Sequence, residues 1–575
     1  MSTSRKTSRP FVQVMVIGAG FSGLAMACQL KKQLNCQDLV IYDQIPKPGG
    51  TWWSNQYPGC GVDIPAVFYS LSFAPNPHFS KVFPKQDEIL KYFNQVAAQY
   101  DVSRHISCHI QWVQGCWIEE TSTWKVQLRD LSTGVCFDQE CKILISAVGG
   151  LSIPNVIKVK DADVFQGQII HTAQWNHDVC VRDKDVVVIG NGCRTRPICL
   201  KIQEANISIS DSIRFPTHSI RCQRSQDNYP IYANFADPNP MIQTPQHYMP
   251  SENMAISVFL RRVFQYIPSL LWLIRTAVFA YLETSGPQFN ITAKGESLRN
   301  KASEISRQYV KTNAPEEYWS LLIPAYDLGC KSWFIISNRR ESKVLLKRRV
   351  FDNDRYIPCL QKSNVHLTAD PIVALQPHSV LTGSGRTYNA DIIVLATGFK
   401  TAQFDVKLFG RNGLSREDHW KQFGSKSAFK TVAMANFPNF FYVLGPHSGR
   451  GHTSTIFAAE SFVHLVIRAI KHVINGHARS VEIKPSSERS FHEHIVDALD
   501  KTVYTGKCGS WYIDQKTGKN WFIYPWDSFT MWYSTHMDGM EDWKYERSEK
   551  EPQISLHVLC DYCSCFFGVD SMHDA

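Results

Sequence analysis

Three glycines and one acid stand at spacings suited to holding a dinucleotide: Gly18, Gly20 and Gly23, then Asp43 20 residues on. Gly18 permits a tight turn, Gly20 lets a pyrophosphate approach the main chain, and Gly23 lets a helix pack closely on its strand. The N–H groups and positive dipole at the start of that helix favour phosphate. Asp43 is placed to accept ribose hydroxyls. A second set repeats the first two positions with Gly190 and Gly192 in DVVVIGNGCRTRP. It is imperfect, because Thr195 takes the third small position and Pro197 falls in the first helical turn, where proline is tolerated. Downstream, Arg224 and Ser225 suit a 2′-phosphate, since a guanidinium binds phosphate bidentately. The bland alternative for Arg224 is a surface arginine. An NADPH site is the natural reading of this second set.

These residues need strands and helices to carry them. Val12–Ile17 is a continuous β-rich run, a helical stretch follows to about Leu34, and LVIYD closes the unit at Asp43. KILIS leads into AVGGLSIPN, Ala147–Asn155, and DIIVLATGF, Asp391–Phe399, repeats that design of buried strand and small-residue turn. The first dinucleotide unit is therefore expected to be split, with its second half after residue 390. Residues 236–325 have little strand character and helical patterning, and are expected to form an insertion. Between the two glycine sets lies FQGQIIHTAQW, Phe165–Trp175. Taken alone, it reads as core residues around an ordinary buried histidine.

Composition narrows the function classes. At 575 residues the chain exceeds single-core size. Its formal charge of +9 is spread out, with no focused basic stripe interleaved with aromatics, so nucleic acid is not an expected partner. The 17 cysteines are scattered and odd in number, and MSTSRKTSRP is polar and basic, which predicts reduced thiols in a cytoplasmic protein. Cys560, Cys563 and Cys565 crowd the C-terminal region near His557 at irregular spacing, and no metal site is expected. The most apolar stretch, Val263–Ile274, is too short to cross a bilayer and is interrupted by Pro268. It reads as a buried or amphipathic helix, without stable membrane insertion.

Five separated segments resemble the single-component flavin monooxygenases, and within them the Baeyer–Villiger monooxygenases of fungal type. Phe165, Gly167, His171, Thr172 and Trp175 match the pattern F-x-G-x-x-x-H-T-x-x-W, with Asn176 where the family often has Pro or Asp. The opening glycine motif, GGTWWSNQYPGCGVD (Gly49–Asp63), GPHSGRGHTS (Gly445–Ser454) and GSWYIDQKTGKNWFIYP (Gly509–Pro525) match elsewhere. The likeness spans about Val12 to Tyr545. It implies an α/β fold with two Rossmann-like dinucleotide-binding domains, for FAD and NADPH, and a helical insertion. The implied layout is 11–155 and 391–547 for the FAD domain, 156–235 and 326–390 for the NADPH domain, 236–325 for the insertion and 548–575 for a tail. The implied reaction uses NADPH, FAD and O2 to place one oxygen beside a ketone carbonyl, giving an ester or lactone. By analogy the substrate is a secondary metabolite. The FAD-side residues implied are Gly18, Gly20, Gly23, Asp43, Gly50, Thr51, Trp52, Tyr57 and Asp63. The NADPH-side residues are Gly190, Gly192, Arg224, Ser225 and Lys331. The implied catalytic set is Asp63, Arg348, His171 and Trp175. Asp63 positions an arginine that stabilises developing negative charge, while His171 and Trp175 couple the two domains.

One departure falls on that arginine. The family has G-[CT]-K-R, whereas Gly329, Cys330 and Lys331 are followed here by Ser332, and RRVFDNDRYIPCL resumes only at Arg348. The intervening SWFIISNRRESKVLLK (332–347) admits three readings. It loops out and returns Arg348 to place; it is translated non-coding sequence; or it displaces the arginine and cripples oxygenation. Two further functions therefore stand beside ketone oxygenation. One is a related flavin enzyme performing epoxidation, hydroxylation or N/S-oxidation; the other is a flavin-binding protein with impaired oxygenase activity. Substrate identity and oligomeric state are not legible.

Overall fold

The computed structural model describes residues 7–155, 160–190, 199, 231–234, 253–323, 356–401, 404–450, 453–505, 512–514 and 516–547. The apolar run at the start forms β1, Thr7–Ile17, five residues longer at its N-terminal end than the hydrophobic pattern predicts. Val14, Met15 and Val16 are fully buried, as the central strand of a covered sheet requires. Helix α1, Phe21–Leu34, follows with Gly20 as its N-cap, and Asn35 ends it in the left-handed conformation.

β1 pairs in parallel with β2, Leu39–Tyr42, on one side and with β6, Cys136–Ser146, on the other. β3, Ile106–Ser107, extends the first side. β4, Ile110–Ile118, and β5, Thr123–Asp130, continue from β6 as antiparallel strands. The chain then leaves this sheet for a second one, built from β7 (Gln168–His171), β8 (Val186–Ile189), β9 (Ile231–Asn234), β10 (Val365–Thr368) and a returning strand. β11 (Ile372–Gln376), β12 (Ser379–Thr382) and β13 (Thr387–Asn389) form a small antiparallel sheet before that return. The returning strand is β14, Ile392–Leu395. The second sheet runs β10-β9-β8-β14-β7, with every neighbour parallel.

β14 corrects one expectation. The sequence pattern places its buried run with the second half of the first unit, but it hydrogen-bonds between β7 and β8 in the second sheet. The chain regains the first sheet later, through β15, Lys407–Phe409, beside β4, and β16, Phe440–Tyr442, beside β6. An apolar strand followed by Ala-Thr-Gly suits either sheet, so pattern alone could not choose the side of the boundary.

The two crossings between the sheets are strapped together. Asn155 N–H donates to the Gly398 carbonyl (3.1 Å), Lys400 N–H donates to the Ile153 carbonyl (3.0 Å), and Pro154 and Phe399 bridge in antiparallel fashion.

Residues 253–323 are mostly helical. The Val263–Ile274 stretch is two helices rather than one: α3, Val258–Tyr266, and α4, Pro268–Glu283, with Pro268 in the first turn of the second. α5, Ala293–Asn313, completes the insertion's long helices. Beyond the second sheet, α6, Thr455–Ile474, packs on α1 in a shared core containing Leu24, Ala27, Phe462 and Val466. Among the described residues no single helix is long and apolar enough to cross a membrane.

Candidate functional site

The first glycine set lies at the C-terminal ends of β1 and β2, the edge where open α/β sheets bind ligands. Gly18 has φ +113°, and a methyl group there would sit 2.4 Å from the Ala147 carbonyl oxygen at the end of β6. The second set repeats this arrangement. Gly190 has φ +121°, and its added methyl would sit 2.5 Å from the Ala396 carbonyl oxygen at the end of β14. Ala147 N–H bonds the Ile17 carbonyl and Ala396 N–H bonds the Ile189 carbonyl, both at 2.8 Å. The two units thus share one turn geometry.

A second glycine loop lies against the first. Gly49 N–H donates to the Ala19 carbonyl (2.9 Å), and a methyl on Gly50 would approach the Gly20 Cα to 2.8 Å. Gly23 is as confined, with the Gly18 carbonyl oxygen 1.9 Å from where its Cβ would be. Gly50 then caps the one-turn helix α2, Thr51–Ser54. A Cβ would clash at Gly18 and Gly50, whereas at Gly20 it would meet the Gly50 Cα at an ordinary 3.5 Å.

Asp43 ends β2 under this turn. Its carboxylate accepts N–H groups from Ala19 (2.6 Å) and Ile45 (3.0 Å). Burial pushes its pKa up, and the backbone N–H groups of Ile45, Ala19 and Gln44 oppose that shift. Thr51 accepts the Asn55 side-chain amide at its carbonyl (2.8 Å). Trp52 and Tyr57 are buried together in the core that joins the first unit to the insertion. Trp52 Nε1 donates to the Tyr69 hydroxyl (3.1 Å). Burial raises the Tyr69 pKa far above its usual range, and the nearby Asp63 charge adds to the rise. Asp63 is half-buried in the loop after Tyr57.

The FQGQIIHTAQW segment is the β7 edge strand and the turn after it. Phe165 is buried among Val187, Ile189 and Ile393. Gly167 is required by close approach, since a methyl there would meet the Asp391 carbonyl oxygen at 2.3 Å. His171 ends the strand opposite Leu395. Its Nδ1 accepts the Ala173 N–H (3.0 Å), so the neutral ring carries its proton on Nε2. The ring also meets Phe399 edge-on at 6.2 Å, and Phe399 is part of the strap between the sheets. Trp175 is half-buried and packs on the core containing Ile170 and Val186. Gly192, Thr195, Pro197, Arg224, Ser225, Lys331, Ser332, Arg348 and the C-terminal cysteine cluster lie outside the described residues.

Several site residues carry no local signal in the sequence. Arg275 of α4 donates to the Val67 (3.1 Å) and Ser70 (2.7 Å) carbonyls and pairs with Glu460 of α6 (3.4 Å). Eight residues on, Glu283 pairs with Arg450 (3.1 Å) in the GPHSGRGHTS loop, and also accepts the Ser528 N–H (3.1 Å). The insertion is therefore fastened to the first unit by two ion pairs of opposite polarity. Their partners are 185 and 167 residues apart in the chain, so only the tertiary fold pairs them.

Residues 16–85 match the NAD(P)-binding Rossmann-like domain family. Over 517 residues the chain is 28% identical to a Baeyer–Villiger monooxygenase of Pseudomonas aeruginosa, covering 89% of this chain and 87% of that one. It is 27% identical over 535 residues to an FAD-binding monooxygenase of Aspergillus niger, covering 90% of this chain and 79% of that one. Its fold matches the crystal structure of cyclohexanone monooxygenase from Rhodococcus sp. Phi1 bound to NADP+, with TM-score 0.73 and 20% identity, over 94% of this chain and all of the other.

Proposed function

We infer that this chain is a single-component flavin monooxygenase of the Baeyer–Villiger type, using FAD, NADPH and O2 to insert one oxygen atom beside a ketone carbonyl. The observation that carries this reading is the repeated turn, Gly18 against Ala147 and Gly190 against Ala396, at the ligand-binding edges of two separate sheets. One cradle would serve a dehydrogenase, whereas two serve transfer from one dinucleotide to another. FAD, when bound, supplies the chemistry that activates O2, and NADPH supplies the hydride. The similarity to Baeyer–Villiger enzymes over nine tenths of the chain supports the ketone reaction.

We assign the following roles, from placement for the described residues and from the family resemblance for the others. Gly18, Gly20, Gly23, Gly50 and Thr51 hold the FAD pyrophosphate, and Asp43 orders the turn while offering its carboxylate to ribose. Trp52, Tyr57 and the half-buried Tyr69 wall the flavin side against water, which strengthens every charge interaction inside. Asp63 acts on developing negative charge through an arginine, and Arg348 is the residue assigned to that role. Gly190 and Gly192, with Arg224, Ser225 and Lys331, hold NADPH. His171 couples the second sheet to the first through Phe399, and Trp175 anchors the turn that holds it. The substrate class is a bulky apolar ketone of secondary metabolism. A cytoplasmic setting suits the described cysteines, which are free thiols.

Purified protein should show a flavin spectrum and bleach when NADPH is added without oxygen. Re-aeration with a panel of ketones and thioethers, followed by mass spectrometry, should give a product one oxygen heavier from a ketone. Oxidation of thioethers alone would favour a related monooxygenase. Flavin that keeps its colour under NADPH would refute the oxygenase reading.

A further inference from the structure

The apolar stretch predicted as a buried or amphipathic helix carries more than a packing role. α3 and α4 meet at Ile267 with 105° between the two helical segments, so the pair cannot span a bilayer as one rod. One side of the elbow packs inward through Phe264, Leu271, Val278 and Leu282. The other side presents Phe259 (77% exposed), Tyr266 (79%), Val258 and Leu273 (58% each), Ile267 and Trp272 to solvent. Phe259, Arg262 and Tyr266 recur at helical spacing along α3 and share that outer face. Scattered exposed apolar residues are ordinary, but a contiguous set of this size marks a contact surface.

The charge around the elbow selects the partner. From Asn253 to Leu282 the chain has no Asp or Glu, while Arg261, Arg262 and Arg275 lie within it. Arg275 turns inward to Glu460, whereas Arg262 is exposed and Arg261 half-buried. Lys81, also exposed, bridges to Ala255 just before α3. Aromatic and aliphatic side chains flanked by cations, on a segment that itself carries no acid although Glu88 lies at Ser80 beside Lys81, suit a helix lying in the headgroup region of an anionic membrane. Tyr and Trp, with apolar bodies and polar tips, suit that same layer. A soluble protein partner would more often be met by mixed charges at the rim.

α4 also joins the elbow to the candidate site. At its inner end Phe279 packs on Phe457 (5.1 Å) and Phe68 (5.9 Å), and Glu283 pairs with Arg450. Its 16 residues span about 24 Å at 1.5 Å per residue. We propose that the elbow of α3 and α4 docks this protein on anionic membrane surfaces, with its exposed aromatic and aliphatic side chains in the headgroup region and Arg261, Arg262 and Lys81 on lipid phosphates. Resting on the oxygenase reading, the docked elbow sets the site one helix length from the phase in which apolar ketones collect.

The test is co-sedimentation of the flavin-loaded protein with vesicles of phosphatidylcholine alone, or of equal parts phosphatidylcholine and phosphatidylglycerol. Binding to the mixed vesicles should exceed binding to the neutral ones by about tenfold or more, as expected of two or three surface cations, and should weaken with salt. Phe259→Asp combined with Tyr266→Asp should abolish it, and Arg262→Glu should remove the preference for anionic lipid. Both variants should retain flavin and their reduction by NADPH. Equal or absent sedimentation with the two vesicle types would overturn the proposal, as would full binding by the double variant. So would a dimer seen by light scattering that the double variant dissolves without any vesicle binding, since the elbow would then face a second copy. The vesicle readout is independent of turnover, so failure of the oxygenase reading would appear separately, as wild-type flavin that NADPH does not reduce.

Discussion

Removing Arg275 tests how the insertion is held to the first unit. Its guanidinium supports the Val67 and Ser70 carbonyls, lies 5.2 Å from the centre of the Phe68 ring and faces Glu460. Glu460 accepts Ser72 N–H (2.6 Å) and Oγ–H (2.7 Å) through its other oxygen. The two side chains are only 12% and 14% exposed. Arg275→Met keeps the apolar stem but strands a buried carboxylate, a change that destabilises by about 3–5 kcal/mol. At about 1 °C per kcal/mol for a chain of 575 residues, the temperature of flavin release should fall by about 3–5 °C. Burial already raises the Glu460 pKa, with Arg275 as the first group opposing it. Losing Arg275 raises it further. A carboxyl whose folded pKa is raised contributes stability below its unfolded pKa and loses it as pH rises through the folded value. The deficit of Arg275→Met should therefore be larger at pH 8 than near pH 5. Adding Glu460→Gln should recover about half of the loss or more, because the pair is then replaced by neutral groups. The assay is flavin fluorescence during heating, run for wild type, both single variants and the double. Effects that simply add, within about 0.5 kcal/mol, or a deficit that ignores pH, would refute the pairing.

Other outcomes follow from the same structure. Gly18→Ala should yield colourless protein, whereas Gly190→Ala should keep flavin and lose its reduction by NADPH; absorbance spectra with and without anaerobic NADPH separate the two. Asp63→Asn should bind FAD and be reduced normally, yet lose about 10²–10³-fold in ester formation if it acts on developing charge, as read by product mass and by unproductive NADPH oxidation. His464 and His536 stack at 3.9 Å, and burial first, then the neighbouring positive charges, lower their pKa values to about 3 and about 4. Both are neutral in the folded state and protonate on unfolding, so stability should fall as pH drops from about 6.5 toward 4; His536→Gln should flatten that slope in thermal melts.

The glycine motifs were legible because they are local. Gly18, Gly20 and Gly23 sit between a buried strand and a helix, and steric need dictates Gly18 and Gly23. The helices within 253–323 were legible from the lack of strand pattern. Membership of β14 in one sheet rather than the other was not, because a buried parallel strand looks the same in both. Nor was the split of Val263–Ile274 into two helices with an exposed side, since apolar composition does not say which face finds a neighbour. Arg450 stood inside a quoted motif, but its partner Glu283 is set by how α4 lies across the loop, and no spacing encodes that. The contact of His171 with Phe399 was not legible either, because it depends on how the two crossings meet.

The paired crossings at 153–155 and 398–400 bear on how the two halves can move. A single connecting strand would let one half swivel in any direction relative to the other. Two antiparallel strands bonded to each other act as a leaf hinge: they bend across their shared width and resist twisting. The two connections therefore hold the second sheet along a fixed edge, and His171 at the end of β7 packs against that edge through Phe399.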